Sequence, residues 1–176
     1  VAHVDLPKAY PLNQVSGALN FYLEDKKIVV LEAENVPEDF HARFSAKGRE
    51  YLYRIINRHP PLALEEGRAW HVKKPLDINA MKAAAELLTG HHDFTSFRSS
   101  ECQANNPMRT VDLVELEQQG DLITVRVGAR SFLHNQVRIM VGSLKLVGEG
   151  KWSLEDLKEA LHAKDRTRGG PTAPPG

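Results

Sequence analysis

The chain has 176 residues, enough for one large domain or two small ones with a real core. It carries 23 Lys and Arg against 23 Asp and Glu, with 41% apolar and 26% charged residues, an ordinary balance for a soluble globular protein. A single cysteine, Cys102, rules out an internal disulfide framework and fits a reducing compartment. No apolar stretch is long enough to span a bilayer, because Arg138 and Lys145 interrupt the best one. No charged-then-apolar leader is expected from the opening residues. The first residue is Val1, not Met, so the natural start is expected to lie elsewhere. Histidines such as His91-His92 lack a thiolate or carboxylate cluster at ligand spacing, so no metal is expected.

Val1 to Leu6 alternates weakly and reads as a short strand. Pro11 opens a helix with Leu12, Val15, Leu19 and Tyr22 at helical spacing. Ile28-Val29-Val30-Leu31 reads as a buried strand, followed by a turn from Asn35 to Asp39 around Pro37. A long strand pattern follows from Phe44, with Tyr51, Tyr53 and Ile55 on one face. His59-Pro60-Pro61 ends it. Asp77 is placed to cap a helix whose apolar stripe is Ile78, Met81, Ala85 and Leu88, closed by Gly90. A polar loop runs through Ser99 to Pro107. Val111 to Glu117 and Leu122 to Val127 form a hairpin turning at Gly120-Asp121. Ser131 to Val147 reads as a helix. A second helix starts after Trp152-Ser153, with Asp156 completing a capping box and Leu154, Leu157 and Leu161 facing inward. Gly169 to Gly176 is a Gly/Pro-rich loop.

From Phe44 the order strand, helix, strand, strand, helix is an α+β split-βαβ unit. Residues 1 to 31 repeat the second half of that pattern. The chain is therefore expected to hold two ferredoxin-like units sharing an extended sheet, the first incomplete. The expected divisions are 1–36, a remnant of an N-terminal domain, and 37–176, a C-terminal domain lacking its final strand.

Net charge is zero, yet the charges segregate. Leu122 to Gly148 contains Arg126, Arg130, Arg138 and Lys145 and no acid. Phe40 to Arg58 contains Arg43, Lys47, Arg49, Arg54 and Arg58 against Glu50 alone. Such stripes suit a local polyanion site, although solvated charges also cluster by chance. Arg138 stands among Val137, Ile139, Met140 and Val141. Either it snorkels to water or it holds an anionic partner, because an unpaired buried guanidinium costs several kcal/mol. On a helix, His134 would share its face. Aromatics beside bases in Phe40 to Arg43 and Tyr51 to Arg54 suit a nucleobase and its backbone, or a half-buried strand with core tyrosines. His92-Asp93 near Ser96 invites a hydrolase reading, but no Gly-x-Ser-x-Gly elbow is present and a loop with a packed Phe94–Phe97 pair is the simpler account. Lys164-Asp165-Arg166-Thr167 before glycines could cradle a phosphate, without P-loop spacing.

The ordered set is more specific than its parts. It runs Asp39-Phe40-His41-Ala42-Arg43-Phe44-Ser45-Ala46, then Tyr51-Leu52-Tyr53, then Asp93-Phe94-Thr95-Ser96-Phe97-Arg98. Phe132-Leu133-His134-Asn135-Gln136-Val137-Arg138-Ile139-Met140-Val141-Gly142 follows, then Ala163-Lys164-Asp165-Arg166 and Gly170-Pro171-Thr172-Ala173-Pro174. Over essentially its whole length the chain resembles the tRNA pseudouridine synthase A family. That resemblance implies two ferredoxin-like halves around a basic cleft, a cytoplasmic homodimer, and no metal or cofactor. It implies isomerisation of uridines in the tRNA anticodon arm, with the base flipped out and an aspartate as nucleophile. It places Tyr51 against the target base and pairs Arg138 with the aspartate. Arg43, Phe97, Arg98, His134, Lys164 and Arg166 follow as expected tRNA contacts. The family's Gly-Arg-Thr-Asp-Ala-Gly-Val-His segment does not occur in these residues. The chain alone is thus expected to be an inactive internal piece of the enzyme. The middle residue of Tyr51-Leu52-Tyr53 is often basic in relatives, so one RNA contact is expected to be weaker here. The rival reading from another class is a non-catalytic RNA-binding α+β module that never had the aspartate.

Overall fold

The computed structural model describes residues 1–175; Gly176, the end of the expected tail loop, lies outside them. The chain divides into two compact units, Val1–Lys47 and Gly48–Gly176. No helix among the described residues is long and apolar enough to cross a membrane.

In the first unit, α1 spans Leu12–Leu23 with Pro11 at its N-cap, as its spacing predicts. The two strands expected here, Val1 to Leu6 and Ile28 to Leu31, are not formed. A strand is stable only when a neighbour takes up its backbone N–H and C=O groups, and no ladder partner exists for either segment among the described residues. One side chain supplies a fragment of such a ladder: Asn20 donates from Nδ2 to the Val30 carbonyl (2.9 Å) and accepts the Val30 N–H at Oδ1 (2.7 Å). The Phe40 to Ser45 motif is a compact turn. His41 Nδ1 accepts the N–H groups of Arg43 (3.2 Å) and Phe44 (3.3 Å), and Ser45 Oγ accepts that of His41 (2.9 Å). His3 packs on the His41 ring at 4.6 Å between centroids.

The second unit is an α+β layer pair. Its strands are β1 (Arg49–Asn57), β2 (Trp70–Val72), β3 (Gly90–Asp93), β4 (Met108–Gln119) and β5 (Leu122–Ala129). They form one sheet in the order β2-β1-β5-β4-β3, with β1 and β2 parallel and every other pair antiparallel. The order β1-β5-β4 is the split-βαβ arrangement; β2 and β3 are additions at its two edges. Neither was expected. β2 is three residues long and β3 reads Gly-His-His-Asp, so neither has the length or apolar alternation that marks a strand. The strand pattern expected from Phe44 begins only at Arg49.

Alternate residues of β5, namely Ile123, Val125, Val127 and Ala129, are buried while Arg126 points to water. One sheet face is therefore covered. Its cover is α2 (Ile78–Leu88), α3 (Gln136–Gly148) and α4 (Leu154–Ala163). Met81, Ala85 and Leu88 of α2, Ile139, Met140 and Leu144 of α3, and Leu157 and Leu161 of α4 close the core over Ile55 and Val125. Fully burying one such aliphatic side chain contributes about 1.5–3 kcal/mol.

The helix ends follow local chemistry. Asp77 accepts the N–H groups of Asn79 (2.9 Å) and Ala80 (3.0 Å), relieving two donors that α2 cannot satisfy itself. Ser153 and Asp156 form the expected capping box of α4. Leu154, expected inward, is 42% exposed, because it is the first helical residue and precedes the buried stripe. α3 begins at Gln136, not at Ser131. Asn135 takes a left-handed conformation (φ 59°), and the buried Gln136 side chain accepts the Leu133 N–H at 2.8 Å. That bond holds the preceding residues in a non-helical approach.

Candidate active site

Tyr51 and Tyr53 stand on the covered face of β1, opposite Val127 and Val125 of β5. Tyr53 is buried, whereas Tyr51, nearer the sheet end, is half exposed and meets the Phe132 ring edge-to-face at 5.4 Å. Arg138, in the first turn of α3, is half-buried. Its Nε donates to the Ala173 carbonyl at 2.7 Å and its Nη1 to Asn135 Oδ1 at 3.1 Å. No carboxylate among the described residues forms an ion pair with it. Among the described residues its partners are thus neutral oxygens, and neither a snorkelling head in water nor an ion pair with an acid of those residues describes it. His134 precedes α3 and is exposed, so the two do not share a helical face.

The segment that holds Arg138 is a strap, Gly169 to Pro174, laid over α3. Ala173 N–H donates back to the Arg138 carbonyl (3.0 Å), so the two residues clasp each other twice. Tyr53 Oη donates to the Pro174 carbonyl at 2.6 Å. Burial pushes the Tyr53 phenol up to about 12, against the opposing pull of the Arg138 charge. The strap lies so close to α3 that a Cβ on Gly142 would stand 1.9 Å from the Pro171 oxygen. Gly170 N–H donates to Ser143 Oγ (3.2 Å), which itself donates to the Ile139 carbonyl (2.8 Å).

A 3₁₀ turn at Thr95–Phe97 gathers the other expected residues of this unit. Phe97 is fully buried against Phe94, with ring centroids 6.0 Å apart, so it anchors the turn and presents no face to a ligand. Arg98 follows it, with Nη1 on the Ala104 carbonyl (3.1 Å), and Ser99 N–H donates to the His134 carbonyl (2.9 Å). Arg98 and His134 are thereby brought to one loop cluster. Lys164 is largely exposed, and its Nζ stands 3.9 Å from Asp93 Oδ2. Desolvation opposes ionisation of Asp93, but hydrogen bonds from Thr95 and the charges of Lys164 and Arg98 outweigh it, holding its carboxyl below the usual range. Arg166 is half-buried and turned inward on the strap: Nη1 donates to the carbonyls of Gly169 (3.3 Å) and Gly170 (3.0 Å). Arg43 belongs to the first unit, where its guanidinium lies 5.9 Å from the Phe44 ring centre.

The hydrolase reading of His92 and Ser96 fails on geometry. Ser96 is fully buried and its hydroxyl accepts the Asp165 N–H at 3.0 Å, while His92 Nε2 is engaged with the Thr89 carbonyl at 2.9 Å. What the sequence reading missed is the clasp itself: Ala173, Pro174 and Asn135 act through oxygens. The available signal was the pairing of small residues, Gly142-Ser143 with Gly169-Gly170, which marks a close backbone crossing.

A charged arginine held by neutral oxygens, with the buried Tyr53 bonded to the same strap, is an arrangement that can receive an anion. Comparison with known proteins gives the family. Residues 84–176 match a family described as tRNA pseudouridine synthase. A tRNA pseudouridine synthase A of Paramagnetospirillum magneticum is 59% identical over 174 residues, covering 99% of this chain and 68% of that protein. The chain belongs to the tRNA pseudouridine synthase family. A second relative of that name, from Mesorhizobium japonicum, is 56% identical over 177 residues, with 99% of this chain and 71% of the relative covered. A third, from Sinorhizobium fredii, is 55% identical, with 72% of its length covered. The family match spans α3, α4 and the strap, so the clasp on Arg138 falls wholly inside it.

Proposed function

We propose that this chain supplies the arginine side of a pseudouridine synthase active site that isomerises uridines of the tRNA anticodon arm. The observation that carries the reading is Arg138, oriented by Ala173 and Asn135 with no acid paired to it among the described residues, on the same unit as the half-exposed Tyr51. A guanidinium so held offers its remaining N–H groups to a carboxylate. In the proposed reaction an aspartate from a Gly-Arg-Thr-Asp segment attacks the nucleotide, and the bond from uracil nitrogen to the sugar breaks. The uracil turns and rejoins through carbon as the bond to the aspartate breaks; that carbon then loses its proton and the freed ring nitrogen gains one. Arg138 holds the aspartate in line, and Tyr51 lies against the flipped base. Arg43, Arg98, His134 and Lys164 contact tRNA. The complete enzyme works as a cytoplasmic homodimer without metal or cofactor, and residues 1–36 and 37–176 belong to its N-terminal and C-terminal ferredoxin-like domains.

No Gly-Arg-Thr-Asp segment occurs in these 176 residues, so the chain alone is proposed to be inactive. Tritium release from uridine carbon in labelled tRNA tests both claims. The chain alone should release none, the full-length gene product should release label, and Arg138→Ala in the latter should nearly abolish release. Turnover by these 176 residues would refute the assignment of the nucleophile.

A further inference from the structure

Among the basic residues around the Thr95–Phe97 turn, Arg166 differs in its surroundings. Lys164 has a side chain 63% exposed and Arg168 one 59% exposed, as befits groups that can meet a polyanion. Arg166 is instead half-buried, and its fork is spent on its own chain. Nη1 takes the carbonyls of Gly169 and Gly170, and Nη2 lies 3.4 Å from Thr172 Oγ1. Those residues form the start of the strap whose Ala173 carbonyl receives Arg138 Nε at 2.7 Å. Beside those bonds, this end of the strap is held by the Gly170–Ser143 bond, by the Gly169 N–H on the Arg166 carbonyl (3.2 Å), and by close crossings of Gly169 on the Ser96 backbone and of Gly142 on Pro171.

We propose that Arg166 is a positioning residue for Arg138, not a tRNA phosphate contact. It gathers three oxygens of the strap, two backbone and one side-chain, into one curve. The curve delivers the Ala173 carbonyl to the arginine that meets the reacting carboxylate. Lysine cannot substitute, because an ammonium lacks the planar fork that spans separate oxygens. This proposal rests on the functional reading above for its catalytic consequence, though not for the geometry.

The test uses the full-length gene product. In single turnovers with enzyme in excess, Arg166→Ala should lower the rate constant roughly 10- to 100-fold, the scale of an Å-sized misplacement. The tRNA Kd should stay within about twofold and its salt dependence unchanged. Arg166→Lys should behave like Arg166→Ala. A phosphate contact predicts the reverse: weaker binding, a salt slope reduced by about 0.7–0.9, and rescue by lysine. A merely structural role would lower the reaction amplitude and the melting temperature, not the rate constant. Either result, or no change at all, would overturn the proposal. NMR of isotope-labelled arginine side chains supplies an arm independent of activity. The Arg138 Nε–H signal, assigned by its loss in Arg138→Lys, should be protected from exchange in the parent and unprotected in Arg166→Ala. Persistent protection would overturn the proposal even if the enzyme reading stands. An inactive parent would refute the enzyme reading while the NMR arm still judged the positioning.

Discussion

Replacing Gly142 by alanine should destabilise the second unit by about 3 kcal/mol, although the same change in an open helix stabilises by about 1 kcal/mol. The new Cβ would lie 1.9 Å from the Pro171 oxygen and 2.9 Å from its carbonyl carbon. Both are backbone atoms, so no side chain can rotate away. The strap must lift, and three bonds go with it: Arg138 Nε to Ala173, Ala173 N–H to Arg138, and Tyr53 Oη to Pro174. The two neutral bonds are worth about 1 kcal/mol each, and the charged one about 1.5–3 kcal/mol. Subtracting the helix gain of about 1 kcal/mol leaves roughly 3 kcal/mol. Urea unfolding followed by tryptophan fluorescence and circular dichroism measures this directly. Two comparisons calibrate it. Gly17→Ala in α1 meets nothing within 4 Å and should be neutral or stabilising. Gly148→Ala meets the Met81 sulfur at 2.7 Å, a flexible neighbour, and should cost less than Gly142→Ala. A Gly142→Ala protein as stable as the parent would refute the close crossing and with it the clasp on Arg138.

Two titrations probe the same neighbourhood. Because the Tyr53 phenol is pushed up from 10.0 to about 12, the folded chain keeps a proton that the unfolded chain releases. Stability should therefore fall as pH rises between those values, and Tyr53→Phe should remove that part of the alkaline loss. Asp93 is shifted the other way, its carboxyl held below the model-peptide value of 3.8. Its stabilisation is present above that value and disappears as pH falls through the folded-state value. Asp93→Asn should flatten the acid limb of a stability–pH curve, and an unchanged limb would refute the Thr95 and Lys164 attribution.

The elements that were legible in the sequence are those whose own residues satisfy their needs. α2 carries its apolar stripe and Asp77 cap, α4 carries its capping box, and the β4–β5 hairpin turns where Gly120-Asp121 allows. β2 and β3 exist because β1 and β4 offer edges to them, a reason located in another segment. The same holds for the unformed strands of the first unit: Val1 to Leu6 alternates weakly and Ile28 to Leu31 is an apolar run, but neither has a ladder partner among the described residues. α3 starts late because of one glutamine side chain, which no periodicity reveals. At the candidate site, the neighbours of Arg138 single it out, and the resemblance adds Tyr51 and Lys164, whose roles are proposed. Phe97 was also singled out, yet its ring is in the core. Arg138 is oriented by a backbone oxygen 35 positions away, and carbonyls leave no signature in a sequence.

The choice of oxygen has an electrical consequence. A carboxylate at Ala173's place would orient the same guanidinium but cancel its charge. A carbonyl and an amide aim it and leave the full unit of charge in place. The field is thus standing before any partner arrives, in a half-buried setting where water screens it incompletely. An acid entering that field meets a lowered cost of staying ionised, so in the proposed reaction the arginine would keep the nucleophile deprotonated as well as hold it in line.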